Sequence, residues 1–521
     1  MSWLNMGEML QVNARKYPDK LALKDVRRAV SFAELDLRTN RLANALLDLG
    51  LKKDDRFAAL CHNHVEYMEI YLAAAKAGLV VVPVSFRLVG KEIEYILDNS
   101  ESKAIIVDEK YVPTMKKFRP ELSLAFRSKL PNINHIAIGK GNYSDYLNYE
   151  QLISKANGFY PEVEVRPKDT WIQLYTSGTT GVPKGVVRSH RSYISFFLIN
   201  EVEFGFRYDD YGLVLMPLFH VNSTFYSFVF TYVGAGCYVH RSIKFDAEEL
   251  LSIIDREKIT FTSLIPTHYH LILTLPEDVK QKYDVNSIKQ LLCSSAPATK
   301  QMKLDVMAFF PNADLFEAYG STEAGLVTIL RPEDQMKKLG SIGREVVGTD
   351  TLKLLDEGGN PVPIGEVGEL YSRGPMMFDY YWKLPEKTKA SFHGEWFSAG
   401  DMAKVDEDGY YTLVDRKDNM IITGGEHVYP SELEELLSMH PDVFEAAVIG
   451  IPHPKWGESV KAVIIPKADR SPAEEEVINW CKGKIAGFKR PKAVVFISQE
   501  DMPRTASGKI LHKILREKYS E

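Results

Sequence analysis

Apolar and polar positions change their spacing several times along this chain, and each change marks an element. Met6, Met9, Leu10 and Ala14 recur at helical spacing and predict a short amphipathic helix near the start. Ser31 followed by Glu34 is a capping-box pattern ahead of Leu35, Leu42, Ala45 and Leu46, so a helix opens there and Gly50 ends it. From Arg56 onward the texture alternates: apolar and β-branched runs over 56–61, 80–84 and 104–107 read as strands, separated by helical patterns over 65–77 and 91–97. The alternation returns near Trp171 and runs to about Phe316, through strands over 211–215, 260–264 and 290–293. Strands separated by helices pair in parallel with helices on both faces, so these stretches predict a large body of two doubly wound α/β subdomains.

After Thr351 the strands become short and turn-punctuated (TLKLLD, GELYSR, YYTLVD), with Gly358, Gly359, Gly365 and Gly409 between them, predicting a small β-barrel. Beyond Asp415 the pattern is helix 431–439, strands 444–450 and 460–465, helix 472–485, strand 493–497 and a terminal helix from Ile510. That tail reads as a small mobile α+β domain, and the expected division is residues 1–415 and 416–521. No internal repeat or low-complexity tract interrupts it.

Composition narrows the classes. With 521 residues, 45% of them apolar, the chain is long enough for more than one core, which excludes disorder. Lys plus Arg is 64 against 70 Asp plus Glu, a net −6 with no long basic block, so nucleic-acid binding is disfavoured. Cys61, Cys237, Cys293 and Cys481 form no CxxC pair, which fits a reducing compartment. The N-terminus lacks a basic region before an apolar stretch. The longest apolar run, 77–86, holds a Gly and a Pro and falls short of the ~18 residues a membrane span needs. Neither signal peptide nor transmembrane segment is expected, and the expected location is cytoplasmic.

The richest chemistry lies in YTSGTTGVPKG, Tyr175 to Gly185, between an apolar run at 171–174 and Val186 and Val187. From Ser177 to Gly185, three hydroxyl residues, three glycines and Lys184 can surround a polyphosphate with backbone N–H groups, hydroxyls and one point charge. It is not a Walker A loop: Pro183 stands where that motif needs Gly, Gly185 where it needs Ser or Thr, and a strand follows instead of a helix. A plain surface loop of the same composition is the alternative. Four more segments stand out: YGSTE (Tyr319 to Glu323); WFSAGD with Trp396, Gly400 and Asp401; DRKDN with Arg416, leading to GGEHVYPSE (Gly424 to Glu432); and PRTASGK (Pro503 to Lys509).

In this order the segments resemble the motifs of the adenylate-forming superfamily, which includes acyl-CoA synthetases, aryl-CoA ligases, amino-acid adenylation domains and firefly luciferase. The resemblance covers nearly the whole chain. It implies an ATP-dependent, AMP-forming ligase that makes an acyl-adenylate from a carboxylic acid and passes the acyl group to coenzyme A. It implies ATP, Mg²⁺ and CoA as the small molecules bound. Thr176, Ser177, Gly178, Thr179, Thr180 and Lys184 would meet the phosphates, and Ala296, Tyr319, Gly320 and Thr322 the nucleotide. Glu323 would hold Mg²⁺, a hard ion that takes oxygen donors, and Asp401 and Arg416 would hold the ribose. Gly425 and Trp456 would lie on the CoA path, and Lys509, with Lys184, Glu323 and His220, would act in catalysis. Read alone, Glu323 is equally a surface carboxylate, Asp401 a turn residue and Lys509 a solvated lysine.

Other residues refine or limit the match. Amino-acid-activating relatives carry Asp where His220 follows Phe219, so a simple carboxylic acid is expected, in a pocket drawn from 220–227, 294–297 and 320–326. Phe225, Tyr226 and Phe228 make that pocket bulky, favouring a medium-chain, cyclic or aromatic acid. Asn222 and Ser223 keep a betaine of the carnitine type open. Ala399 removes a hydroxyl usual in the family, Asn419 replaces an acidic residue next to the expected hinge at Asp418, and Arg188 and Arg191 add charge without an assigned partner. His62 with His64, and His268 with His270, are weak as metal pairs. The cluster FKRPK (Phe488 to Lys492) reads as a solvated edge or a contact for CoA phosphates. A carrier-protein acceptor, a luciferase-like oxygenase and a non-catalytic nucleotide sensor are the rival readings, and a homodimer stays open.

Overall fold

The alternating runs do form parallel sheets in the computed structural model, which describes residues 5–88, 90–118, 134–141, 143–176, 183–241, 245–294, 298–424, 426–504 and 510–520. One sheet has the strand order Tyr380–Tyr381, Lys184–Ser189, Thr170–Thr176, Val80–Pro83, Arg56–Leu60, Ala104–Asp108, Asn134–Ile138, Leu147–Asn148. From Thr170–Thr176 outward to Leu147–Asn148 the pairing is parallel. Lys184–Ser189 folds back antiparallel on Thr170–Thr176, with Thr176 opposite Lys184, so the candidate phosphate loop joins two adjacent strands. The second sheet runs Arg344–Glu345, Gly325–Leu330, Asp314–Ser321, Gln290–Cys293, Phe261–Leu264, Tyr211–Val214, Gly236–Val239, Leu21–Lys24, Ala29–Ser31. Its middle is parallel and its ends are antiparallel hairpins.

One apolar core reaches from Phe57, Val81 and Trp171 of the first sheet through Tyr71, Phe197 and Phe228 on helices to Val214, Cys237 and Phe261 of the second. The helix Val65–Ala77 lies within it, with every residue buried, which explains why its sequence is apolar on most sides. Predicted helix starts hold where a cap exists: Ser31 Oγ accepts the Glu34 N–H at 3.2 Å and opens the helix Phe32–Asp48.

The expected small barrel is an open sheet instead. Lys353–Leu355, Gly368–Ser372, Trp396–Val405 and Phe392–His393 lie in that order, with Tyr411–Arg416 also on Trp396–Val405. Among the described residues its edge strands Lys353–Leu355, Phe392–His393 and Tyr411–Arg416 do not pair with one another, so no barrel closes.

The chain up to Thr176 with Pro183–Thr351 and Ser372–Phe397 forms one compact unit, and Leu352–Tyr371 with the chain from Ser398 onward forms another. In the latter, Val443–His453 and Gly457–Pro466 make a long antiparallel pair, Ile421–Thr423 with Glu426–Val428 flanks one side, and Ala493–Phe496 joins in parallel. Ile421, Leu433, Leu437, Val448, Ile464 and Val477 fill its core. The helix expected over 472–485 spans only Glu474–Trp480, because Gly483 at φ +74° takes a left-handed conformation the helix cannot continue through.

Candidate active site

Lys184 and Arg188 are four residues apart on the strand Lys184–Ser189, so both side chains leave the same face. They meet the turn that follows the strand Asp314–Ser321. A Cβ on Gly320 would lie 2.1 Å from the Gly325 carbonyl oxygen, so only glycine lets the two strands approach this closely. Ser321 Oγ accepts the Ala324 N–H at 3.0 Å and fixes the turn that carries Thr322 and Glu323.

Glu323 is 7% exposed. Its Oε1 lies 2.9 Å from Lys184 Nζ and accepts the Tyr381 hydroxyl at 2.9 Å, while Lys184 Nζ donates to Tyr381 Oη at 2.8 Å. Tyr381 reaches this point because Tyr380–Tyr381 pairs with Val187 and Val186, beside Lys184. Arg188 is fully buried and donates to the Thr322 carbonyl at 2.6 Å and to the Met376 carbonyl; burial pulls its guanidinium below its ordinary value. The Thr176 hydroxyl, buried at the mouth of the phosphate loop, has no partner among the described residues.

These residues suit a nucleotide with its divalent ion. No group of three or more His, Cys, Asp or Glu side chains gathers as a metal cage among the described residues. One buried carboxylate matches an ion that keeps waters and takes its other ligands from phosphates. Lys184 neutralises that carboxylate here, and its ammonium is the group that phosphate oxygens would take over.

A second cluster carries the expected ribose pair. Asp401 and Arg416 face each other across paired strands, with Asp401 Oδ1 2.8 Å from Arg416 Nε, and Arg416 Nη1 donates to the Ala399 carbonyl at 2.6 Å. The hydroxyl missing at Ala399 is thus no gap in this network, which uses the backbone there. Ser398 supplies a hydroxyl one residue earlier, accepting the Gly400 N–H at 2.9 Å and donating to Glu369 at 2.7 Å.

His220 is half-buried at the N-terminus of the helix Val221–Val233, its ring 4.7 Å from Phe219. One face of that helix lines a pocket with Leu213, Met216, Asn222, Ser223, Tyr226 and Ser263. Asn222 Nδ2 donates to Ser263 Oγ and Ser294 Oγ, each at 3.1 Å. Phe225 and Phe228, expected to make the acid pocket bulky, turn into the core instead. Phe225 stacks on Phe196 at 3.8 Å, and Phe228 packs against Tyr71 and Trp171. Helical spacing explains the split, since 222 and 226 share one face and 225 and 228 another.

Trp456 is 48% exposed, and its ring lies against Gly424, where an added Cβ would be 3.0 Å from it. Gly424 has φ +61° and donates to the Trp456 carbonyl at 2.8 Å, so the turn after Ile421–Thr423 and the turn carrying the tryptophan pack against each other. Near the expected hinge, Arg516 donates to the carbonyls of Asp418 and Asn419 at 2.8 Å each. Ser177, Gly178, Thr179, Thr180, Ala296, Gly425 and Lys509 lie outside the described residues.

The remaining sequence candidates have local partners. His62 bonds Tyr111, and burial pulls its ring down to about 4. Burial also opposes protonation of His64, yet Asp108 and Glu66, at 3.5 and 3.1 Å, hold it well above its ordinary value. His268 stacks on Phe245 at 4.1 Å. Lys489 of the basic cluster pairs with Glu432 at 2.6 Å, and Arg191 is exposed. Tyr381 escaped the sequence reading because a tyrosine beside another tyrosine gives no chemical signal. Arg188 was visible as a charge but not as a buried one.

Residues 10–382 match the family model described as AMP-binding enzyme, and residues 432–509 match that of the AMP-binding enzyme C-terminal domain. A feruloyl-CoA synthase of an Amycolatopsis species is 34% identical over 511 residues, covering 97% of each chain. A long-chain-fatty-acid–CoA ligase of Mycobacterium tuberculosis is 33% identical over 525 residues, covering 99% of each. Among solved structures, an anthranilate CoA ligase in complex with anthranoyl-AMP superposes with a TM-score of 0.87 at 30% identity, covering 99% of this chain and 98% of its own.

Proposed function

The chain belongs to the AMP-binding enzyme family, and from that membership we propose that it joins a carboxylic acid to coenzyme A with ATP, through an acyl-adenylate. The observation that carries the reading is the Glu323 carboxylate, buried and 2.9 Å from Lys184, on the strand that leaves the phosphate loop. In the first half-reaction the acid's carboxylate oxygen attacks the α-phosphorus and pyrophosphate leaves. Two anions must meet, so positive charge is the first requirement. Glu323 would hold Mg²⁺, which would supply charge neutralisation on the phosphates. Lys184 turns from Glu323 to a phosphate oxygen, and Lys509 adds a second ammonium. Asp401 accepts from the ribose hydroxyls, with Arg416 orienting it, and His220 borders the acid's carboxylate. In the second half-reaction the CoA thiol attacks the acyl carbon and AMP leaves, along a path lined by Gly425 and Trp456. The moving parts in this scheme are residues 1–415 and 416–521, turning at Asp418 between the half-reactions; they differ from the compact units that packing outlines, which group Leu352–Tyr371 with the chain from Ser398.

The acid we favour is aromatic, cyclic or medium-chain. What favours this class is that relatives act on feruloyl and anthranilate groups; Tyr226, Leu213, Asn222 and Ser263 line only a small cavity beside the helix Val221–Val233. A cytoplasmic site of action fits four cysteines that are buried and unpaired.

Pyrophosphate release across acetate, octanoate, benzoate, ferulate and a betaine, with and without CoA, tests the assignment. The expected result is release with thioester formation for an aryl or medium-chain acid. Release that yields thioester only on a carrier protein would move the acceptor, and turnover of acetate or the betaine alone would overturn the acid class.

A further inference from the structure

We propose that Arg188 is a positioning residue for the divalent ion of ATP: it fixes the backbone of Thr322 and Glu323, and through it the Glu323 carboxylate. The inference rests on the reading of Glu323 as the magnesium ligand. Arg188 has no exposed surface, and no carboxylate forms an ion pair with it among the described residues. Its guanidinium bonds the carbonyls of Thr322 and Met376, approaches that of Glu323 at 3.5 Å, and lies over the rings of Phe225 and Tyr193, 5.0 and 5.4 Å from their centroids. A buried cation whose nearest carboxylates, Asp379 and Glu323, act only at longer range is costly, and an apolar side chain of similar volume would pack there without that penalty. What the guanidinium adds is a fork that reaches two separate segments at once. Those segments are also joined by the Phe378 N–H, which donates to the Glu323 carbonyl at 2.6 Å.

The geometry gives the strand Lys184–Ser189 two grips on one residue. Lys184 takes the Glu323 carboxylate, and Arg188, further along the same face, takes the backbone of that residue and the one before it. A shift of the turn would move the carboxylate with it. Groups that orient a metal ligand in this way typically govern affinity for the ion by about 10- to 100-fold.

The test compares the wild type with Arg188→Met, Arg188→Lys and Glu323→Gln. Binding of Mn²⁺ in the presence of α,β-methylene-ATP is followed by electron paramagnetic resonance, alongside thermal melting and the Mg²⁺ dependence of pyrophosphate release. Arg188→Met is expected to weaken Mn²⁺ binding by about 10- to 100-fold, with kcat recovered at raised Mg²⁺ and KM for the acid unchanged. Arg188→Lys, which keeps the charge but not the fork, is expected to weaken it less, and it decides the question if the methionine variant does not fold. Unchanged Mn²⁺ affinity in the Arg188 variants, while Glu323→Gln loses it, overturns the proposal and leaves the magnesium reading standing. A raised KM for the acid with unchanged Mn²⁺ affinity also overturns it, by assigning Arg188 to the acid pocket. Unchanged affinity in Glu323→Gln overturns both.

Discussion

His190 is the first side chain of the helix His190–Phe204, fully buried and stacked on Trp171 at 5.5 Å with the rings 11° apart. Burial pulls its imidazole down to about 3, so it stays neutral in the fold while the unfolded chain titrates near 6.5. Between those values the unfolded state binds a proton that the native state does not. The stability this residue contributes is therefore fully present above about pH 6.5 and is lost as pH falls, by at most about 1.4 kcal/mol per pH unit. Denaturant unfolding of the wild type and His190→Gln at pH 7 and pH 5 is expected to show a smaller loss in the variant. Equal losses would mean that other groups set the acid sensitivity. Legibility differed sharply at this scale. Glu323 and Asp401 stood out only because their motifs match the adenylate-forming superfamily; alone, each carboxylate reads equally as a surface or turn residue. Tyr381 and Arg188 did not, because what they do depends on a strand, a turn and a hairpin that come together from distant parts of the chain.

Elements were legible where local chemistry ends them and illegible where pairing does. The helix Val65–Ala77 and the strand Gln290–Cys293 stand where their apolar patterns begin and stop. Val443–His453 and Gly457–Pro466 run longer than their apolar runs suggest, because the two strands keep pairing through Pro452 and His453 up to a tight turn. The barrel failed for the complementary reason: closure is a property of two edges meeting, and turn spacing does not encode it. The turn between those long strands carries Trp456, half-exposed over Gly424. If the ring stacks on the adenine of CoA, its loss removes about 1–3 kcal/mol of binding. Trp456→Ala is therefore expected to raise KM for CoA by roughly 5- to 150-fold while ATP–pyrophosphate exchange with acid alone is unchanged. An equal fall in exchange would place the tryptophan in the adenylation step instead.

At the scale of the whole molecule, the alternation of strands and helices was enough to foresee two mostly parallel sheets, since parallel pairing needs the crossovers the sequence supplies. The division into units was less legible. Leu352–Tyr371 and the strands from Ser398 belong with the C-terminal elements, and that grouping comes from packing that turn-rich sequence does not announce. Arg516, on the terminal helix His512–Tyr519, holds the carbonyls of Asp418 and Asn419, so the expected hinge is tied to the element that follows the Lys509 segment. The central claim is that the acid is activated by adenylation at the site built around Glu323 and Lys184. The most direct measurement is to follow both oxygens of an ¹⁸O-labelled carboxylate, using an acid the enzyme turns over, into the products by mass spectrometry. Label in AMP, one oxygen per turnover, with none in pyrophosphate, is the predicted result; label in inorganic phosphate with ADP formed would show an acyl-phosphate route and contradict the account.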